Sequence, residues 1–378
     1  VDKGDDVIQS KKIVVLGATG TIGKMALDVL KKLKNFKVVG ISAHKNVKLL
    51  LKKKIEFPDA FTALTGDRVE GVDFCGEDAI EALMEKTLPD QVIVGIAGFA
   101  GLKYALTSAK YSKRLCLANK ESIVAGGNFF LKNVRDSNCE IIPVDSEHNA
   151  IFQLIEVEKS PINSIFLTAS GGAVRDVPVE RLKDVTPEMV LKHPIWNMGA
   201  RITVDSATMF NKGLEVMEAH FLFGFPSDKI IVVLHPQGKV HGMIKLNDGT
   251  VKMLASKADM RLPIAYAIHY PKRIKAFEGF MPFGEFTFEM PDLSRYPALR
   301  LAYECLKEGD GARIVYNAAD EIAVEAFLKK EIHFTHIYKI VERVLKNGWP
   351  KILDDYESIE AVDVAARRLA KEMVRRCC

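Results

Sequence analysis

The most constraining stretch of this chain is Gly17-Ala18-Thr19-Gly20-Thr21-Ile22-Gly23, which closes an apolar, strand-like run at 12–17 and opens an amphipathic helical run at 21–33. Missing side chains let the backbone turn tightly and approach a ligand, which then rests on the N–H groups and positive dipole end of the next helix. The spacing is GxxGxxG, a relative of the GxGxxG dinucleotide fingerprint. A turn that merely packs helix against sheet is the plain alternative; the strand–turn–helix context favours dinucleotide binding. Strand-like runs then recur at 37–43, 91–97, 114–118 and 139–144, with helical runs such as 47–55 between them. Fully apolar strands alternating with helices imply a parallel sheet covered on both faces. Right-handed crossovers give a Rossmann-like domain, expected over 1–138.

The end of the second strand bears on which dinucleotide. NAD-selective sites usually place an acidic side chain there for the ribose hydroxyls. Here the run is Ser42-Ala43-His44-Lys45-Asn46, without a carboxylate. Lys45 alone could be a solvated lysine at a helix start, but an absent acid and a present base together favour the extra phosphate of NADP.

From 141 the pattern changes. Strands are expected at 164–169, 201–204 and 229–234, followed by a hairpin of 243–246 and 251–254 around Asn247-Asp248-Gly249. This describes a mixed α/β domain over 139–270. Within it, 171–199 is long, carries Pro178, Pro187 and Pro194, and has only short helical pieces, as a mobile lid would. Trp196 is either the apolar plug of that lid or a core residue fastening a static loop. A Pro-, Phe- and Gly-rich linker is expected over 271–291. Beyond it only helical spacing remains, at 299–306, 315–327, 337–345 and 359–373, with Thr335 and Ser358 as caps. The expected fold class is therefore α/β: a Rossmann-like NADP-binding domain, an α/β catalytic domain with a mixed sheet and mobile lid, and a C-terminal helical domain over 292–378.

Several polar groups punctuate this frame. In extended chain, residues two apart point to one side, so Asp145 and Glu147 could meet one hard cation such as magnesium or manganese. An acidic helix cap fits equally well, with Asp145 or Ser146 capping a helix that starts near His148. If Ser206–Glu215 is helical, Asn211 and Glu215 share a face at i, i+4, with Lys212 and Glu215 at i, i+3. That face offers a hydroxyl, an amide and an ammonium beside a third carboxylate; a solvated Lys–Glu pair is the plain alternative. Ser170-Gly171-Gly172 has the form of an anion-cradling turn. Asn119-Lys120-Glu121 stands at the end of a strand in the first domain, where open α/β sheets bind ligands.

Bulk properties narrow the classes. A chain of 378 residues suits two or three domains. A net charge of +4 is too weak to argue for nucleic acid, though it suits small anions. No apolar run reaches the roughly 18 residues of a membrane span. Residues 1–12 are polar, with no apolar signal-peptide core, and are set aside from the fold. Cys75, Cys116, Cys139, Cys305, Cys377 and Cys378 show no CxxC spacing. The first three sit in apolar contexts as small hydrophobes and the last two form a tail, a usage that points to a reducing cytoplasm.

The blocks GATGTIG, NKES, PVDSEHNAIFQ, TASGG, HPIWNMG, VDSATMFNKGLEVMEA, HPQG and DMRLPIAYA occur in the order and spacing of the 1-deoxy-D-xylulose-5-phosphate reductoisomerase family. The chain resembles that family densely over 13–270 and weakly in its helical C-terminal part. The resemblance implies rearrangement of a phosphorylated keto-sugar to a branched aldehyde, then reduction by NADPH to 2-C-methyl-D-erythritol 4-phosphate, on the non-mevalonate route to isoprenoid precursors. It implies a divalent cation (Mg2+, Mn2+ or Co2+) held by Asp145, Glu147 and Glu215, with Lys120 and His193 in catalytic roles beside them. Substrate contacts are implied for Ser146, Glu147, Ser170, His193, Trp196, Ser206, Asn211, Lys212 and Glu215. The NADPH site would be lined by Thr19, Gly20, Thr21, Ile22, His44, Lys45, Asn46, Asn119, Glu121 and Gly199. The family is generally homodimeric. Departures from its pattern are Ile195 for a polar residue, His44 for glycine, Gly238 for serine and Ala258 for proline. A plain NADP-dependent dehydrogenase would leave the carboxylates unexplained, and a non-catalytic NADP-sensing module would have no use for them.

Overall fold

The computed structural model describes residues 10–196, 198–275 and 280–377, so Cys378 and the terminal segment 1–9 lie outside the described residues. Two units separate: residues up to 119 with Lys132–Asp145 and the stretch from 259, and Lys120–Leu131 with Ser146–Ala258 and the remainder of the chain.

In the first unit, β1 (Lys11–Leu16), β2 (Phe36–Ala43), β3 (Phe61–Leu64), β4 (Phe74–Cys75), β5 (Gln91–Val94), β6 (Arg114–Leu117) and β7 (Glu140–Pro143) form one parallel sheet. Its order is β4-β3-β2-β1-β5-β6-β7. Ile13, Val14, Val15, Val92, Ile93 and Val94 are fully buried, as central strands covered on both faces require. The helix Thr21–Leu30 lays Ala26, Leu27, Val29 and Leu30 inward. The chain runs outward from β1 to β4 and restarts at β5 on the other side of β1. The strand order therefore reverses between β1 and β5, the place where open sheets bind ligands. β3 and β4 were not foreseen, being too short to display a period. β7 lies beyond the boundary expected at 138, yet Leu115 pairs with Ile141 and Leu117 with Pro143, which extends the sheet.

The second unit holds a mixed sheet of β8 (Ile162–Ala169), β9 (Ile230–Leu234), β10 (Val240–Leu246) and β11 (Val251–Ala255), in the order β11-β10-β8-β9. β8 and β9 run parallel, while β10 is antiparallel to both β8 and β11. The expected hairpin is present, with Thr250 N–H donating to Asp248 Oδ1 at 2.8 Å in its turn. Ile165, Leu167, Val232 and Ile244 pack with Ile151 of the helix Ser146–Val157 and Val216 of the helix Phe210–Phe223.

The strand expected at 201–204 is instead part of the helix Ala200–Thr208. Arg201-Ile202-Thr203-Val204 has strand-like composition, but Thr203, Val204 and Ala207 bury one helical face, and packing overrides propensity. The C-terminal helices are Pro297–Glu308, Asp310–Leu328, Phe334–Leu345 and Tyr356–Cys377. Thr335 and Ser358 lie inside the last two rather than capping them. Asp355 does that work at the final helix, accepting from Ser358 N–H at 2.7 Å. Within 171–199 the only regular pieces among the described residues are a 3-10 turn, Val179–Asp184, and the short helix Pro187–Val190. The five described cysteines are free, and burial pushes the Cys116 thiol up to about 12 and that of Cys139 to about 11.

Candidate functional site

In the first unit the glycine turn sits at the carboxyl end of β1. Gly17 has φ +74°, and a Cβ there would lie 2.6 Å from the Gly95 carbonyl oxygen just past β5. Only glycine lets the two strand ends at the reversal point come this close. The turn is tied to the end of β2: Gly17 N–H donates to Ser42 Oγ at 3.1 Å, and Ala18 N–H to the Ser42 carbonyl at 2.8 Å. Gly20 precedes the helix Thr21–Leu30 and brings no side-chain cap. Its first N–H groups have no side-chain acceptor there, which suits an anion.

Past β2, His44 Nδ1 lies 3.0 Å from Thr65 Oγ1, Lys45 is exposed, and Asn46 Oδ1 accepts from Leu49 N–H at 3.1 Å as the cap of the helix Val47–Glu56. After β6, buried Asn119 donates to the Gly98 carbonyl at 3.0 Å. Of the residues expected to line a dinucleotide, Thr19, Gly20, Thr21, Ile22, His44, Lys45, Asn46 and Asn119 thus belong to this unit. Glu121 and Gly199 belong to the other.

In the second unit the candidate residues draw into one buried cluster. Lys212 Nζ donates to Glu147 Oε1 at 2.7 Å and also to Glu215 Oε2. Lys120 Nζ donates to Asn211 Oδ1 at 2.9 Å and to Glu215 Oε1 at 3.1 Å. Asn211 Nδ2 shares Glu215 Oε1, and Ser146 Oγ donates to Glu147 Oε2 at 2.5 Å. Burial by itself would depress Lys212, but Glu147 and Glu215 outweigh it and hold the ammonium above its ordinary value. The i, i+4 and i, i+3 relations on Phe210–Phe223 are as the sequence suggested.

One step of that reading needs correction. Ser146 already starts the helix Ser146–Val157, so Asp145 and Glu147 meet across a strand-to-helix turn and not along extended chain. Asp145 is the residue immediately before that helix. His148 backs this group: its Nε2 lies 2.9 Å from the Glu215 backbone carbonyl and its Nδ1 3.3 Å from Glu218 Oε2.

A second group gathers around His193. Its Nδ1 accepts from Ile195 N–H at 3.2 Å and Trp196 N–H at 2.9 Å. The proton of the neutral ring therefore belongs on Nε2, which faces Ser170 Oγ at 3.0 Å and Ser206 Oγ at 3.3 Å. Burial lowers the pKa of His193 and keeps the ring neutral near pH 7. Trp196 is half-buried, its ring centroid 6.0 Å from that of His241. Two of the departures noted in sequence prove to be neighbours: a Cβ at Gly238 would lie 2.7 Å from Ile195 Cδ1.

Sequence reasoning missed the charges that back this cluster. Arg201 contacts Glu121 at 3.1 Å, Glu321 at 3.0 Å and Asn317 Oδ1 at 3.1 Å. Arg367 joins Glu321 at 2.8 Å. Asp205 and Asp320 are both buried near Arg201; burial first, then neighbouring carboxylates against the pull of Arg201, raise Asp205 to about 7 and Asp320 well above its ordinary value. Helical spacing hid most of these as ordinary polar positions. Among them, the consecutive acids Asp320-Glu321 within the apolar run 318–324 were the one visible signal.

Residues 13–127 match a family model for 1-deoxy-D-xylulose 5-phosphate reductoisomerase, 141–223 one for its C-terminal domain, and 255–369 a DXP reductoisomerase C-terminal domain. The chain is 47% identical over 371 residues to a 1-deoxy-D-xylulose 5-phosphate reductoisomerase of Thermotoga maritima, covering 95% of this chain and 97% of that one. With the Cupriavidus metallidurans protein of the same description, identity is 43% over 385 residues, covering 96% and 97%. A crystal structure of DOX-P reductoisomerase with NADPH, fosmidomycin and magnesium superposes with a TM-score of 0.90 at 32% identity, covering 97% and 98%. The Zymomonas mobilis reductoisomerase with NADPH gives 0.85 at 36%, covering 97% and 99%.

Proposed function

Since this chain belongs to the 1-deoxy-D-xylulose 5-phosphate reductoisomerase family, we propose that Asp145, Glu147 and Glu215 hold its divalent cation and that the cluster around them is its catalytic centre. The protein converts 1-deoxy-D-xylulose 5-phosphate to 2-C-methyl-D-erythritol 4-phosphate with NADPH. The observation that carries the residue assignment is the ammonium of Lys212, drawn between Glu147 and Glu215, with Asp145 two residues before Glu147 in the chain. Carboxylates arranged around a positive charge, all oxygen donors, fit magnesium or manganese. The glycine-rich turn at 17–23 and its uncapped helix start likewise fit the pyrophosphate of NADPH. When bound, the cation would polarise the carbonyl and acidify a neighbouring hydroxyl of the substrate, and NADPH would supply the hydride.

The chain's own residues do the rest. Ser170, Ser206 and the Nε2–H of His193 converge as neutral donors suited to the substrate phosphate, with Ser146, Asn211 and Lys212 completing the substrate contacts. Lys120, held by Asn211 and Glu215, keeps a proton beside the reacting oxygens. Residues 171–199 act as the lid, with Trp196 as its apolar plug, and keep water from the aldehyde. His44, Lys45 and Asn46 read the adenosine end of NADPH, together with Thr19, Thr21, Ile22, Asn119, Glu121 and Gly199. By function the chain divides into an NADPH domain over 1–138, a catalytic domain over 139–270, a linker over 271–291 and a helical domain over 292–378. We also infer a cytoplasmic homodimer: the five described cysteines are free, three of them buried, as suits a reducing cytoplasm, and the family is generally homodimeric; no helix of the described residues is long and apolar enough to cross a membrane.

Mixing the protein with 1-deoxy-D-xylulose 5-phosphate, NADPH and magnesium, and following the absorbance of the reduced cofactor, tests the reading. Consumption that stops on chelation supports it. Turnover indifferent to chelator would mean a plain dehydrogenase, and none at all a sensing module.

A further inference from the structure

The helix Lys120–Asp136 is two helices in sequence, broken at Gly127, whose φ of 45° and ψ of −132° are open only to glycine. A break of this kind deprives the carbonyls of the preceding turn of their i+4 partners. One of them, the Val124 carbonyl, is received by Arg313 Nη1 at 2.7 Å. Arg313 comes from the helix Asp310–Leu328 and is only 2% exposed. Its guanidinium fills the space a side chain at Gly127 would need: a Cβ there would lie 2.7 Å from Nη2 and 2.9 Å from Nη1.

Two further contacts fix the group. Asp310 takes Nη2, and Asp310 Oδ2 itself accepts from Leu353 N–H at 2.9 Å. The guanidinium also lies over the Phe221 ring, 4.4 Å from its centroid. Phe221 belongs to the helix Phe210–Phe223, which carries Asn211, Lys212 and Glu215. The half-helix ending at the break begins with Lys120. Arg313 therefore touches both of the helices that meet in the Lys120–Glu215 contact of 3.1 Å. A planar, always-charged fork suits this task, since one face stacks while the edge donates. The other end of the half-helix is held from the same side, through Glu121, Arg201 and Glu321.

We propose that Arg313 is a positioning residue for the reaction: seated in the gap at Gly127, it joins the half-helix of Lys120 to the helix of Glu215 and sets the place of the Lys120 ammonium. The proposal rests on the reading of Lys120 as a group beside the reacting atoms. It also gives the helical C-terminal part of the chain a role in catalysis rather than in stability alone.

The test compares Arg313→Met, Arg313→Lys and Gly127→Ala with wild type, at a temperature well below each melting point. A displacement near 1 Å lowers kcat by roughly a hundredfold, so Arg313→Met is expected to fall by about that much with KM for NADPH little changed. Arg313→Lys, which can keep the Val124 bond but not the stacked fork, should recover part of the loss. Gly127→Ala, which retains the arginine but displaces it, should resemble Arg313→Met; with Arg313→Lys it keeps the test open if the methionine variant does not fold.

The readout independent of turnover is acylation of Lys120 in the metal-free protein, followed by mass spectrometry. It should proceed roughly threefold faster in the variants, the equivalent of losing part of a net hydrogen bond. An unchanged kcat per folded molecule, or a lower kcat with unaltered Lys120 acylation, would overturn the proposal and leave Arg313 a stabilising residue. If Lys120→Met instead kept full activity, the reading of Lys120 would fail, while acylation would still show whether Arg313 places it.

Discussion

At the carboxyl end of β1 the chain shapes a binding surface by leaving atoms out, whereas around Glu215 it does so by burying charge. Gly17 and Gly20 contribute little more than backbone, and the nearby Lys45 is solvated. Lys120, Lys212 and Glu215 are 6%, 4% and 1% exposed, with Glu121 beside Lys120 and Asp205 and Asp320 on other helices also buried. The two designs carry different liabilities. A glycine turn is strained only if something is added to it. A buried ion pair adds little net stability while intact, but removing one partner costs about 3–5 kcal/mol because the other is left uncompensated. The first region should therefore tolerate changes of charge, and the second should tolerate almost none.

The severest test of this contrast is Glu215→Gln, which keeps shape and removes the charge that Lys120 and Lys212 share. Manganese affinity, measured by calorimetry, should fall by at least about a hundredfold, since even indirect partners of a metal are worth 10–100-fold. Activity should go with it, and the melting temperature should also drop. Binding as tight as wild type would remove Glu215 from the metal site.

Next in size is the pH response of the carboxyl pair. Asp205 rises to about 7 in the folded protein from 3.8, through burial and the facing Glu121 and Glu321, against the pull of Arg201. The folded state then binds a proton that the unfolded chain has released. Its contribution to stability is complete below about 3.8 and is lost as pH rises through about 7, at up to about 1.4 kcal/mol per pH unit. Asp320→Asn, an isostere without the charge, should flatten that slope and raise the melting temperature at pH 8 relative to wild type. Parallel curves of melting temperature against pH would mean that the pair does not share a proton.

Smaller effects belong to the other region. Lys45→Ala should raise KM for NADPH by about tenfold and leave that for NADH nearly unchanged, the worth of one charge-assisted hydrogen bond. Equal changes with both cofactors would show that Lys45 does not read the phosphate. The smallest is expected of Trp196→Ala. The half-buried ring should contribute about 1 kcal/mol on closure, weakening substrate binding roughly fivefold with little change in melting temperature. In a Trp349→Phe background, Trp196 fluorescence should shift on adding substrate analogue and magnesium. A silent spectrum with a large fall in melting temperature would make Trp196 a core residue and the segment static.

The same contrast explains what could be read before the structure. The glycine turn is contiguous, so its residues and its place between strand and helix were legible together. Lys212 and Glu215 were legible as a pair because one helix sets their spacing. Their contacts with Lys120 and Glu147 arise from separate segments, which no local period can announce. Arg201 was misplaced outright, because Ile202, Thr203 and Val204 favour a strand in isolation and only burial of Thr203 and Ala207 selects the helix. Arg313 could be read only as half of an i, i+3 pair with Asp310, since its contacts with the Val124 carbonyl, the Phe221 ring and the gap at Gly127 come from distant segments. Cap positions were off by two or three residues for a related reason: Asp355 and Ser358 are both polar, and only the hydrogen bond between them says which one caps.

One consequence of the His193 arrangement concerns time. An exposed imidazole turns over in picoseconds to nanoseconds. Here Nδ1 is held by the N–H groups of two successive residues, Ile195 and Trp196, so the ring cannot rotate without releasing the chain at both. Rotation of one side chain is thereby slowed to the pace of a loop, nanoseconds to microseconds or longer. The exchange rate of that ring, observed through its own nitrogen resonances, would then serve as a clock for the motion of the whole segment.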